Sequence, residues 1–114
     1  SANRRLSDRV ARLLSTPTDG RYLQLDEIAA LCQLSPRTLM RRLSEENTSF
    51  KALLDASRQS QALWLLHHTD HSVEDIAAQL GYQDTSNFSR TVRRWFGATP
   101  RQLRDNKANF KEAA

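Results

Sequence analysis

Glycine and proline are scarce in this chain of 114 residues, three of each. Strand-like alternation of apolar and polar residues is absent too, so nothing in the pattern supports a sheet. Cys32 is the only cysteine, which excludes an intramolecular disulfide and fits a reducing compartment. It stands among Ala29, Ala30, Leu31 and Leu34 and reads as a small buried hydrophobe. No apolar run approaches the ~20 residues that cross a bilayer, and no signal-peptide pattern opens the chain. These absences set the expectation of a cytoplasmic protein with no membrane role. The chain starts Ser1-Ala2-Asn3 without an initiator Met, as a piece cut from a longer protein would. Hydrophobic residues make up 39%, enough for a modest core but not for a deep catalytic cavity. No enzyme and no cofactor are therefore expected.

What the chain does have is helical spacing almost throughout, with a mild basic excess. Lys and Arg number 17 against 13 Asp and Glu, a net charge of +4, which suits a polyanionic partner without demanding one. The pattern predicts an all-α fold of about seven helices. A first helix over 4–15 presents Leu6, Val10, Leu13 and Leu14 on one face, and Thr16-Pro17 and Asp19-Gly20 end it in a turn. A second covers about 25–32, with Asp26 and Glu27 in its favourable first turn. A third opens at Ser35-Pro36, a Ser cap with Pro at the first helical position, and ends near Glu46 with Asn47 left-handed. A long fourth helix over 49–68 turns Phe50, Leu53, Leu54, Ala62, Leu65 and Leu66 inward. Ser72-Val73-Glu74-Asp75 is a variant capping box that starts a fifth helix, stopped by Gly81. Asp84 or Thr85 caps a sixth that ends at Gly97, and Thr99-Pro100 starts a short seventh through about Asn106. The expected organisation is a first subdomain at 4–48, a linker helix at 49–68, a second subdomain at 69–106 and a polar tail at 107–114.

The two halves repeat one grammar. Glu27-Ile28-Ala29-Ala30 matches Asp75-Ile76-Ala77-Ala78, each followed by a turn, a cap and a helix anchored by Leu39 or Phe88; the second turn is one residue longer. Paired alanines let a second helix cross closely above the first. Short helix, turn and second helix make a helix-turn-helix unit, whose second helix enters the major groove of DNA. The faces agree. Leu39 and Leu43 share one side of the third helix, with Arg37, Arg41 and Ser44 opposite and Met40 on the flank. In the sixth, Phe88, Val92 and Trp95 point inward, Ser86, Arg90, Arg93 and Arg94 outward, and Asn87 and Thr91 lie on the flank. Arg41 and Arg90 occupy the same place in the repeat, where an Arg can give two bonds to guanine, and Asn87 could pair with adenine. The alternative is a helical bundle with ordinary solvated arginines, or an interaction module that kept the fold without DNA binding.

The run from Asp75-Ile76-Ala77 through Leu80-Gly81-Tyr82, Ser86-Asn87-Phe88-Ser89-Arg90 and Arg94-Trp95-Phe96-Gly97-Ala98-Thr99-Pro100 resembles the DNA-binding domain of the AraC/XylS transcriptional regulators. The first half is similar through Ile28-Ala29, Leu34 to Leu39, Arg41, Phe50 and Arg58 to Ala62. The resemblance implies two helix-turn-helix subdomains joined by the long helix, binding one asymmetric double-stranded site as a monomer. It implies base contacts from Arg37, Met40 and Arg41 and from Thr85, Ser86, Asn87 and Arg90. It implies backbone contacts from Thr38, Arg42, Thr91 and Arg93. It also implies a transcription activator acting near RNA polymerase, with an N-terminal effector or dimerisation domain outside this chain. Asn47 stands where such regulators commonly have Gly, and Met40 is suited to a thymine methyl or to packing. Leu63 and Trp64 replace usually charged positions, as an exposed contact site or as local packing. His67, His68, Asp70 and His71 cluster without defensible metal-ligand spacing, and no metal is expected.

Overall fold

The computed structural model describes residues 5–15 and 22–106. The expected turns at Thr16-Pro17 and Asp19-Gly20, the start of the first expected helix at Arg4 and the tail from Lys107 lie outside the described residues. Among those described there are seven α-helices and no strand: α1 Leu6–Leu14, α2 Leu25–Leu31, α3 Pro36–Glu45, α4 Phe50–His68, α5 Val73–Gln79, α6 Thr85–Phe96 and α7 Pro100–Asp105. The chain divides into two compact units between Ser57 and Arg58, within α4.

In the first unit, Leu6, Val10 and Leu14 recur every fourth residue along α1, so all three fall on one buried face. With Ile28 and Ala29 of α2 and Leu39 and Leu43 of α3 they make the core, and each Leu, Ile or Val among them contributes about 1.5–3 kcal/mol. Cys32 is buried beside them in sequence, as expected. The N-cap of α1, Arg5, gives no side-chain cap. Glu46, the residue that ends α3, supplies one from a distance in sequence. Its carboxylate accepts from the backbone N–H groups of Leu6 at 3.2 Å and Ser7 at 3.0 Å, with the Arg5 guanidinium 4.0 Å away. An anion there answers both the unpaired first-turn donors and the positive end of the helix dipole. Hydrogen bonds from Ser7, helped by the Leu6 amide and Arg5, hold the Glu46 carboxyl below its ordinary value against the opposing effect of partial burial. At the other end of α1, the Ser57 hydroxyl donates to the Leu14 carbonyl at 2.9 Å.

In the second unit, Ala62, Leu63 and Leu66 of α4, Ile76 and Ala77 of α5 with Leu80 at its C-cap, Phe88 and Val92 of α6, and Leu103 of α7 form the core. The last carbonyls of α4 would otherwise lack partners. Arg104 of α7 donates from Nε to Leu66 O at 3.1 Å and from Nη2 to Thr69 O at 3.2 Å, and the Thr69 hydroxyl donates to Leu65 O. The cation also suits the negative end of the helix. His67 is buried, with Nε2 3.2 Å from Leu103 O.

Several expected facings change. Leu63 is buried, because the inward stripe of this part of α4 runs through Ala62, Leu63, Leu66 and His67; Trp64, one step round the helix, is 52% exposed and tilts against His68 at 5.1 Å between rings. Phe50, Leu53, Leu54 and Leu65 are only half-buried. Ala30 and Ala78 are exposed, so only the first alanine of each pair lies in the core. The Ser72 hydroxyl accepts from Asp75 N at 3.0 Å, but no return bond from the Asp75 carboxylate completes the box, since Asp is one methylene shorter than the usual Glu. Among the described residues no group of three or more His, Cys, Asp or Glu is placed to hold a metal ion.

Glu46→Gln should destabilise the first unit at neutral pH by about 1 kcal/mol, the typical loss of a helix cap. Because the folded carboxyl titrates below its unfolded value, its contribution is complete above the ordinary carboxylate range and is lost as pH falls through the folded value. Thermal melts of both proteins from neutral to acid pH check this: the gap in Tm should close in acid, and a pH-independent gap would contradict it.

Candidate nucleic-acid interface

Each unit holds a pair of helices whose first member ends in the same way. After α2, Leu34 N donates to Ala29 O at 2.9 Å and Gln33 N to Ala30 O at 3.0 Å, with Gln33 left-handed at φ 59°. After α5, Tyr82 N donates to Ala77 O at 2.9 Å and Gly81 N to Ala78 O at 3.1 Å, with Gly81 at φ 87°. Both are Schellman endings, which reverse the chain while satisfying the last carbonyls. The first turn then reaches its cap directly at Ser35, whose hydroxyl accepts from Thr38 N at 3.1 Å ahead of Pro36. The second inserts Gln83 before Asp84, whose carboxylate accepts from Asn87 N at 2.7 Å.

Beyond the caps, α3 is fixed by Leu39 and Leu43 and α6 by Phe88 and Val92, all four wholly buried. Ala29 and Ala77, 0% and 2% exposed, lie on the buried side of the first helix of each pair, where a larger side chain would hold the crossing helix off. Arg58 secures the second turn: its Nε donates to Leu80 O at 3.1 Å, and its guanidinium lies 5.3 Å from the Tyr82 ring centre. Tyr82 in turn packs against Phe88 at 5.3 Å. The sequence reading missed Arg58 and Glu46 as structural anchors; neither lies near its target in sequence, and nothing local marks them.

The residues singled out from sequence separate by exposure. Arg37, Met40, Arg41 and Arg42 on α3 are exposed, and Thr38 is half-buried with its hydroxyl accepting from Ser35 in the cap. On α6, Ser86, Asn87, Arg90 and Arg93 are exposed and Thr85 is half-buried. Arg94 joins them at the surface. Thr91 departs from the expected flank: it is 8% exposed, and its hydroxyl donates to Asn87 O at 2.9 Å. Three positions past Phe88, it falls on the buried side. Trp95, expected inside, is half-buried at the end of that stripe with its ring edge-on to Phe96.

The two outward faces differ in charge. Between Thr85 and Phe96, α6 carries three arginines and no acid. On α3, Arg41 Nη1 lies 2.8 Å from Glu45 Oε2, an i,i+4 pair. Both surfaces offer guanidinium donors on a rigid helix of the width the major groove admits. No helix among the described residues is long and apolar enough to cross a membrane.

A family model described as a helix-turn-helix domain matches residues 28–106. The HTH-type transcriptional regulator VirS of Mycobacterium tuberculosis is 37% identical over 99 residues, covering 87% of this chain and 29% of VirS. The crystal structure of the transcriptional regulator CdpR from Pseudomonas aeruginosa aligns with TM-score 0.78 and 34% identity over 88% of this chain and 31% of that one. A Chromobacterium violaceum transcriptional regulator, titled with AraC-type DNA-binding domain-containing proteins, aligns with TM-score 0.73 and 27% identity over 94% and 92%. The chain spans about a quarter to a third of the length of the curated relatives it matches.

Gly81→Ala should destabilise the second unit by about 1–2 kcal/mol, since an L side chain resists the left-handed region. The added Cβ would also meet Arg58 Nη2 at 3.3 Å, a flexible end that can yield. Gln33→Ala, at the matching turn and already without glycine's freedom, should change stability by less than about 0.5 kcal/mol. Urea unfolding of both variants checks the pair; equal losses would contradict this description of the turns.

Proposed function

Since this chain belongs to the AraC-type helix-turn-helix family of DNA-binding transcription regulators, we propose that it reads double-stranded DNA by sequence, with α3 and α6 each entering a major-groove segment of one asymmetric site. The observation that carries this reading is the matched construction of the two helix pairs. In each, a left-handed turn and a cap fix the second helix, an apolar pair buries one side, and an Arg two positions past the anchor faces solvent. Arg37, Met40 and Arg41 would read base edges in one segment and Thr85, Ser86, Asn87 and Arg90 in the other. Thr38, Arg42 and Arg93 would hold phosphates, with helix N-termini aimed at them; Thr91, largely buried, offers a phosphate only its rim.

The subdomains in this reading are 4–48 and 69–106, with 49–68 as the link, and the chain binds as a monomer. Within the longer protein it would serve an activator that touches RNA polymerase and answers to an N-terminal effector or dimerisation domain. That protein would work in the cytoplasm, at the nucleoid, without catalytic residues or a cofactor.

Arg41→Ala and Arg90→Ala test the reading when each is titrated against duplexes substituted one base pair at a time. Each variant should become indifferent to base identity in a different segment, losing about 1–3 kcal/mol of discrimination there, with its circular dichroism unchanged. Uniform weakening on every duplex, with the salt slope reduced by about 1, would instead assign the arginine to a phosphate. Unaltered preferences at every base pair would contradict both assignments.

A further inference from the structure

Arg41 and Arg90 hold matching positions, yet their neighbours one helical turn on are opposite in charge. Four residues past Arg90 is Arg94, and four past Arg41 is Glu45. The Glu45 carboxylate takes Arg41 Nη1 at 2.8 Å, and both side chains are 61% exposed. A guanidinium carries five N–H donors in a planar fork, so one engaged Nη1 leaves the Nε and Nη2 edge open for the two acceptors of a guanine. We infer that Glu45 is a positioning residue for DNA reading by the first unit: it holds the Arg41 fork at a fixed orientation while Arg41 contacts the base. The inference rests on the proposed function.

Two effects of opposite sign follow. A long side chain already held in place loses less freedom on docking, which favours the cognate base over others. The carboxylate itself faces a polyanion, which weakens binding to any duplex. Glu45 therefore trades general affinity for discrimination. The second unit has no such acid on α6. The pair contributes little to folding, being exposed on a single helix, so its removal separates recognition from stability.

The test compares wild type, Glu45→Gln, Arg41→Ala and the double variant on a duplex selected by the wild type from a random library. The same proteins are titrated on its single base-pair substitutions and on a scrambled duplex of equal length. Glu45→Gln should bind the scrambled duplex about 2–5-fold more tightly. It should lose about 3–10-fold in discrimination, only at the base pairs that Arg41→Ala makes indifferent, with an unchanged melting midpoint. In the Arg41→Ala background the same substitution should no longer affect discrimination. A uniform gain in affinity with discrimination intact would show that Arg41 leaves Glu45 on binding, and would overturn the inference. A discrimination change that persists without Arg41 would make Glu45 a direct reader and overturn it equally. A wild type with no sequence preference would remove the proposed function, and this inference with it; the first two outcomes leave that function standing.

Discussion

A single left-handed residue ends the first helix of each pair, and the direction of every side chain on α3 and α6 depends on it. At Gln33 and at Gly81 the backbone turns through positive φ, and the two amides that follow the helix fold back onto its last carbonyls. That geometry leaves few routes for the chain. The next residues must cap a new helix, at Ser35 or Asp84, and the new helix must cross where Ala29 or Ala77 permits close approach. Leu39 and Leu43, or Phe88 and Val92, then fix its rotation. Once rotation is fixed, Arg41 and Arg90 have no choice but solvent. The same left-handed ending recurs at Asn47 after α3, φ 63°, with Thr48 N bonded to Leu43 O at 3.1 Å; Asn tolerates this region better than most residues.

Arginines satisfy helix-end carbonyls in both units, and the first adds a carboxylate as a remote helix cap. In the first, charge does much of the tethering: Glu46 reaches from the end of α3 to the start of α1, and Arg9 Nη2 donates to Leu31 O at 2.9 Å. In the second, arginines satisfy carbonyls at helix ends, Arg58 at Leu80 and Arg104 at Leu66 and Thr69. Arg9, Arg58 and Arg104 are thus engaged in holding helix ends. On the outer faces of α3 and α6, Arg37, Arg41, Arg42, Arg90, Arg93 and Arg94 stand exposed, and Glu45 pairs with Arg41.

Helix positions and ends were legible because local signals set them: Ser-Pro and Thr-Pro starts, Gly or Asn at left-handed ends, and i,i+4 apolar spacing. Leu39, Leu43, Phe88 and Val92 followed from that spacing alone. Facing was less legible where a helix contacts neighbours on more than one side. The sequence leaves Leu63 and Trp64 together between an exposed contact site and local packing; one residue is 100° of rotation in an α-helix, and the buried stripe of α4 includes the first and not the second. Thr91 is expected on a flank, but a Thr can bury its methyl and satisfy its hydroxyl on the preceding turn, as it does at Asn87 O. Remote caps such as Glu46 could not be read at all, since 40 residues separate it from Leu6. Of the candidate reading face, the repeat marks Arg41 and Arg90 as matching positions, both exposed; the rest of the contact set is implied by the family resemblance.

The most direct measurement is a selection of bound sites from a random duplex library by the 114-residue chain, followed by sequencing. The proposed function predicts one asymmetric motif with two conserved segments about one helical turn, ~34 Å, apart. Recovery of no enriched motif, or of a single segment too short for two helices, would contradict it.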